Sequence, residues 1–175
     1  MKRLIKKSGK QVGILYHYTN FYHLLSILNG NILKSGIVGR DNISFTRDKN
    51  FLSSERLIEG TQCCLVIDGD KLSNDYKIKP YSDQQFLKGN EEGYSLESEE
   101  IVKEDISPII PYIIEIRIFK DQVRLIRLDR MFEYIYQYKN IRELSKLSEL
   151  EKKDLVLNNI KNYIQDKFGI PVVIE

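Results

Sequence analysis

Gly13-Ile14-Leu15-Tyr16-His17-Tyr18-Thr19-Asn20-Phe21-Tyr22-His23-Leu24-Leu25-Ser26-Ile27-Leu28-Asn29-Gly30 is the stretch on which the reading of this chain turns. Gly13–Tyr18 predicts a short strand, ended by Thr19 and Asn20, both residue types that cap helices. Phe21, Leu24, Leu25 and Leu28 then fall at i, i+3, i+4 and i+7, which is one apolar helix face. Gly30 stands where glycine commonly closes a helix.

Working outward, Ile43-Ser44-Phe45-Thr46 alternates and predicts a second strand after a loop rich in Gly, Asp and Asn. Cys63–Asp68 predicts a third, ended by the turn Asp68-Gly69-Asp70. Residues 82–95 are polar and punctuated by glycine, which suggests an exposed loop. Ile113–Phe119 alternates cleanly and predicts a half-buried strand with Glu115 and Arg117 outward. Val123–Leu128 is expected to pair with it through the turn Lys120-Asp121-Gln122. The last third reads as helical. Met131–Tyr138 is one segment, and Ser148 with Glu151 forms a capping box that opens another. That helix carries the stripe Val156, Ile160, Tyr163, Ile164 and Phe168, and Gly169 and Pro171 end it. Pro171–Ile174 is then a terminal strand. Strands and helices do not alternate regularly, so the class is α+β with a mostly antiparallel sheet.

Composition limits the function. A chain of 175 residues, 42% apolar and 30% charged, is expected to form one soluble domain over residues 1–175 with an adequate core. Residues 1–10 hold five of the 27 bases and no acid, leaving 22 bases against 25 acids, a net −3, on the rest. A basic, flexible tail over residues 1–12 is therefore expected on a body that is not a basic nucleic-acid surface. Cys63 and Cys64 are adjacent within an apolar run and read as buried hydrophobes in a reducing cytoplasm. No secretory signal or membrane-length apolar run is recognisable, so a cytoplasmic protein without a membrane partner is expected. The His and Cys content supports no metal site, and no Walker loop, GxGxxG or GxSxG is present.

Three segments stand out together: Leu15-Tyr16-His17-Tyr18-Thr19, Ile43-Ser44-Phe45-Thr46-Arg47-Asp48 and Glu97-Ser98-Glu99-Glu100-Ile101-Val102. Their order and character over roughly residues 14–118 resemble the ADP-ribosyltransferase superfamily, in the broad set that includes DarT-like and RNA 2′-phosphotransferase-like proteins. No single motif is specific, and their joint occurrence carries the likeness. The resemblance implies an ADP-ribosyltransferase-like split antiparallel β-sheet core with flanking helices, and NAD as substrate. It implies that His17 holds the nicotinamide ribose and adenosine side, with Tyr18 and Thr19 beside it. Ser44 matches the second-strand hydroxyl, Thr46 shares its face, and Arg47 is available for a diphosphate. The familiar aromatic hydroxyl is replaced by Ser44-Phe45-Thr46, which leaves Phe45 or Tyr18 to stack on nicotinamide.

Those residue types suit the chemistry. Loss of nicotinamide from NAD builds an oxocarbenium-like ribose cation, which needs a nearby carboxylate, an apolar or aromatic wall and a hydrogen-bonding group for the ribose hydroxyls. Glu97-Ser98-Glu99 reads as a Glu-x-Glu motif with Glu99 catalytic and Glu97 positioning the acceptor. A shift of one residue gives the role to Glu100. On a strand Glu97 and Glu99 share one face and Glu100 takes the other, and Glu99 is the preferred assignment, with Glu100 expected to point away from the NAD pocket. His17, Ser44 and Arg47 are expected to line that pocket. Taken singly, each feature is ordinary: a structural histidine, common strand residues, a solvated acidic edge. The leading reading is an NAD-dependent transferase acting on a protein or nucleic-acid acceptor, of a size that suits a toxin, a phage-defence effector or a phage-encoded modifier. The alternatives are a non-catalytic NAD- or ADP-ribose-binding module and a toxin-like ribonuclease using His17 with Glu99.

Overall fold

The computed structural model describes residues 12–36, 42–49, 61–80, 99–123 and 147–175. Seven strands and three α-helices follow in the order β1 (Ile14–Thr19), α1 (Phe21–Gly30), β2 (Ile43–Thr46), β3 (Cys63–Asp68), α2 (Gly69–Asp75), β4 (Ile78–Pro80), β5 (Glu99–Val102), β6 (Ile113–Ile118), α3 (Glu149–Phe168) and β7 (Val172–Ile174). They form one sheet ordered β4-β5-β2-β1-β3-β6-β7. Every neighbouring pair is antiparallel except β6 and β7, which run parallel. The architecture is α+β with a mixed sheet. The sheet is connected throughout, but its join at β1 and β2 is thin, with Tyr16 opposite Thr46 as the registered pair. Six registered pairs link β1 to β3 on the other side.

Alternation divides the sheet into two faces. One carries Leu15, Phe45, Cys63, Leu65, Ile67, Val102, Ile116 and Ile118, packed with Phe21, Leu24 and Leu28 of α1 and Leu157, Ile160 and Ile164 of α3. The other carries Tyr16, Cys64 and Val66, with Tyr18 and Phe119 against them. Cys63 and Cys64 are both buried free thiols, one on each face. Glu115 and Arg117 lie half-buried on the second face, joined at 2.7 Å.

Local chemistry explains most element ends. Asn20 caps α1 by accepting from the His23 N–H at 2.9 Å. The capping box is present at α3, where the Ser148 hydroxyl accepts from the Glu151 N–H while the Glu151 carboxylate accepts from the Ser148 N–H. Gly169 closes α3 in the left-handed region at φ 68°. Gly30, by contrast, stays inside α1, and Asn31 takes the left-handed position at φ 49°. Asparagine tolerates that conformation, and the Asn31 Oδ1 also accepts from the Ile110 N–H at 3.0 Å. Asp68-Gly69-Asp70 opens α2 instead of forming a free turn, because the Asp68 carboxylate caps the Lys71 N–H at 2.9 Å. Lys120–Gln122 is a single 3-10 turn. The expected strand Val123–Leu128 beyond Val123, the segment Met131–Tyr138, the loop 82–95 and most of the basic tail 1–12 lie outside the described residues.

Candidate functional site

The middle of β1, the C-terminal half of β2 and the start of β5 bring three chemically useful side chains to the helix-packed face. His17 follows Leu15 by two residues and so shares its side of β1. Its ring lies 5.7 Å, centroid to centroid, from that of Phe45 on β2. Phe45 in turn stands opposite Glu100 on β5. Glu100 is buried, with 8% of its surface exposed. Arg47, directly after β2, reaches over it, with Nε at 2.8 Å and Nη2 at 2.7 Å from the same carboxylate oxygen, Oε1.

His17 crosses the thin β1–β2 join with its side chain: Nδ1 stands 2.9 Å from the Ser44 carbonyl oxygen. A carbonyl only accepts, so Nδ1 carries the hydrogen and Nε2 keeps the lone pair. Burial pushes the His17 pKa below the ordinary imidazole value, partly opposed by the Ser44 hydrogen bond, and the charge of His23 adds to the lowering. The ring is therefore a neutral imidazole with a defined tautomer. Glu100 shifts the other way. Burial raises its pKa, and the Arg47 charge and hydrogen bond oppose that rise without cancelling it.

The glutamate register differs from the expectation. Glu100 was expected to point away from His17 and instead shares the His17 and Phe45 side. The cause is Val102, which is fully buried with Ile43 and Ile78. Its opposition to Ile43 fixes the ladder, and two residues back along the strand brings Glu100 to the same face. The ladder opposes Glu99 to Thr46, the residue that also stands opposite Tyr16. Glu97 lies outside the described residues.

The remaining expected site residues divide between the faces. Thr19 is buried at the end of β1, and its carbonyl accepts from the Gln62 N–H at 3.0 Å. Tyr18 faces the other way, stacked on Phe119 at 6.0 Å, and its hydroxyl donates to the Lys49 carbonyl at 3.2 Å. Ser44 and Thr46 alternate away from Phe45. The Thr46 hydroxyl accepts from the Asp48 N–H at 3.0 Å. Ser44 meets His17 through its backbone carbonyl, so His17, Ser44 and Arg47 do not present their side chains to one pocket. The constellation that the fold brings together is His17, Phe45, Arg47 and Glu100.

Gln62, which the sequence reading passed over, supports this corner. It is buried, and its Oε1 accepts from the Phe21 N–H at 3.3 Å. Its backbone links Thr19 to Phe119 across the sheet. A polar residue directly before the apolar run Cys63–Ile67 is the signal that marks it. Among the described residues no group of three or more His, Cys, Asp or Glu side chains gathers as a metal site, and no helix is long and apolar enough to cross a membrane. The chain matches no protein-family model and no curated protein.

Proposed function

We propose that the protein is an NAD-dependent ADP-ribosyltransferase in which Glu100 is the catalytic carboxylate. One observation carries the reading: a buried glutamate, an aromatic ring and a histidine whose Nδ1 is tied to the Ser44 carbonyl converge on one face of three adjacent strands. In this role the Glu100 carboxylate lies against the ribose as nicotinamide leaves and stabilises the growing oxocarbenium charge, an effect strengthened by low local polarity. The His17 Nε2 lone pair accepts from a ribose hydroxyl. Phe45 supplies the apolar wall for the nicotinamide ring. The acceptor is a protein side chain or a nucleic-acid base. A role in toxin action or phage conflict follows from the resemblance and the small size.

A second reading has a specific observation behind it. Arg47 already neutralises Glu100, and a carboxylate held by a guanidinium is a poor stabiliser of a developing cation. That favours a module that binds NAD or ADP-ribose without turnover.

Nicotinamide release decides between them. Glu100→Gln is expected to lower release by about a hundredfold, the scale of a lost transition-state contact, without weakening NAD binding. Glu99→Gln and Glu97→Gln are expected to stay within a few-fold of wild type. Loss confined to Glu99→Gln would return the role to that residue. No release by the wild type with any acceptor puts the binding module first, and no NAD binding by demonstrably folded protein removes both readings.

A further inference from the structure

We propose that Arg47 is a displaceable latch on Glu100, released to a ligand that carries a phosphate or diphosphate, so that the carboxylate is uncovered only when such a ligand is seated. The inference rests on Glu100 being the carboxylate of the site.

The geometry of the ion pair is that of a partial hold. Two guanidinium nitrogens converge on Oε1 at 2.8 and 2.7 Å. A full fork-to-fork pair would spread them over both oxygens, but among the described residues no donor reaches Oε2. The pair is also asymmetric, with the Arg47 side chain 40% exposed and that of Glu100 10% exposed. An incoming anion therefore meets the guanidinium before the carboxylate.

The backbone around Arg47 is anchored. The Thr46 hydroxyl accepts from the Asp48 N–H, and the Tyr18 hydroxyl donates to the Lys49 carbonyl. Release thus needs only a rotamer change of one long side chain, with no movement of the strand. A diphosphate offers the guanidinium more charge and more acceptor oxygens than one carboxylate oxygen does. Uncovering Glu100 leaves a carboxylate with little access to water, a costly state unless positive charge stands beside it. A ligand that joins a diphosphate to a cationic ring supplies both halves of the exchange. Arg47 then acts as a specificity residue for phosphorylated ligands and as a guard against exposing Glu100 to an empty site.

The test is a double-mutant cycle in which the full chain is titrated with inorganic pyrophosphate by calorimetry at low salt. Glu100→Gln is expected to bind pyrophosphate about tenfold more tightly than wild type, within the usual range of coupling between sites. Arg47→Gln is expected to bind at least tenfold more weakly, and Arg47→Gln/Glu100→Gln should match Arg47→Gln. Unchanged affinity in Glu100→Gln overturns the latch. So does tightening that persists in the double variant, because a mere loss of negative charge would then explain it.

If the Glu100 variant does not fold, the wild type still answers. The Arg47 Nε–H resonance, identified by its loss in Arg47→Lys, is expected to shift as pyrophosphate saturates the protein. Binding that leaves this resonance unmoved overturns the proposal, as does the absence of binding. The cycle uses no NAD. A positive cycle without nicotinamide release counts against the transferase reading alone, and a null cycle with normal release counts against the latch alone.

Discussion

Arg47→Met separates the ion pair from the rest of the fold. Methionine keeps much of the length and the apolar stem of arginine, so the loss falls mainly on the charge. Removing one partner of a fully buried pair costs about 3–5 kcal/mol. Here Arg47 is 40% exposed, so water already screens part of the attraction. A cost of about 1–3 kcal/mol at pH 8 is expected, and about 2 kcal/mol would lower the melting temperature of a domain this size by roughly 4–8 °C.

The cost should depend on pH, and its sign follows from Glu100. Burial already holds its folded pKa above the ordinary carboxylate value. Losing Arg47 raises that pKa further, because the opposing charge is gone. In the window between the unfolded and folded values the folded state binds the extra proton, so stability falls as pH rises. The gap between wild type and Arg47→Met should thus be smaller at pH 5, where more of the unpaired carboxyl is protonated, and widen towards pH 8. The slope cannot exceed about 1.4 kcal/mol per pH unit for one proton. His17 titrates in both proteins and largely cancels from the difference. Urea unfolding at pH 5, 6.5 and 8 is the assay, with Arg47→Met/Glu100→Gln as the control that should recover most of the loss at pH 8. Equal destabilisation at pH 5 and pH 8, or a double variant as unstable as Arg47→Met, would refute the assignment of Glu100 to the buried face.

His17→Asn should make the protein less sensitive to acid. Burial holds the folded His17 pKa below the unfolded value, so the wild type loses stability as pH falls below about 6.5; a shift in urea midpoint between pH 7.5 and 5.5 that is the same in both proteins would contradict this. Gly69→Ala should destabilise by on the order of 2–4 kcal/mol, because an added Cβ would stand 2.4 Å from the Gly13 carbonyl oxygen and 2.9 Å from Leu15 Cγ. Thermal melting of that variant checks the close approach of α2 to the start of β1, and a wild-type melting temperature would deny it. Asn31→Ala should cost about 1–2 kcal/mol more than Asn31→Gly, since both lose the bond to the Ile110 N–H but only alanine is strained at φ 49°. Equal melting temperatures for the pair would remove the left-handed cap from the account.

Much of the fold was legible because its signals are local. A side chain that caps a helix acts within three residues of itself, so Asn20, Ser148 with Glu151, and Gly169 could be read directly. The alternation of Ile113–Ile118 and the apolar run Cys63–Ile67 marked β6 and β3 for the same reason. The three segments that carry His17, Phe45 and Glu100 were grouped only through the resemblance, and the sheet order β5-β2-β1 is what makes them neighbours. The glutamate register was not legible. In Glu99-Glu100-Ile101-Val102 both apolar residues are buried, Ile101 at 6% and Val102 at 0% exposure, so the segment alone carries no preference between its two faces. Only the ladder to Ile43–Thr46 assigns Val102, and with it Glu100, to the side of His17. The parallel seat of β7 beside β6 and the transfer of the left-handed position from Gly30 to Asn31, whose Oδ1 accepts from the distant Ile110 N–H, have the same origin. Backbone preference and capping depend on atoms a few bonds away and are written in the sequence. Register, face and ion pairing depend on partners tens of residues distant, and the packed sheet chooses them by which side chains it can bury.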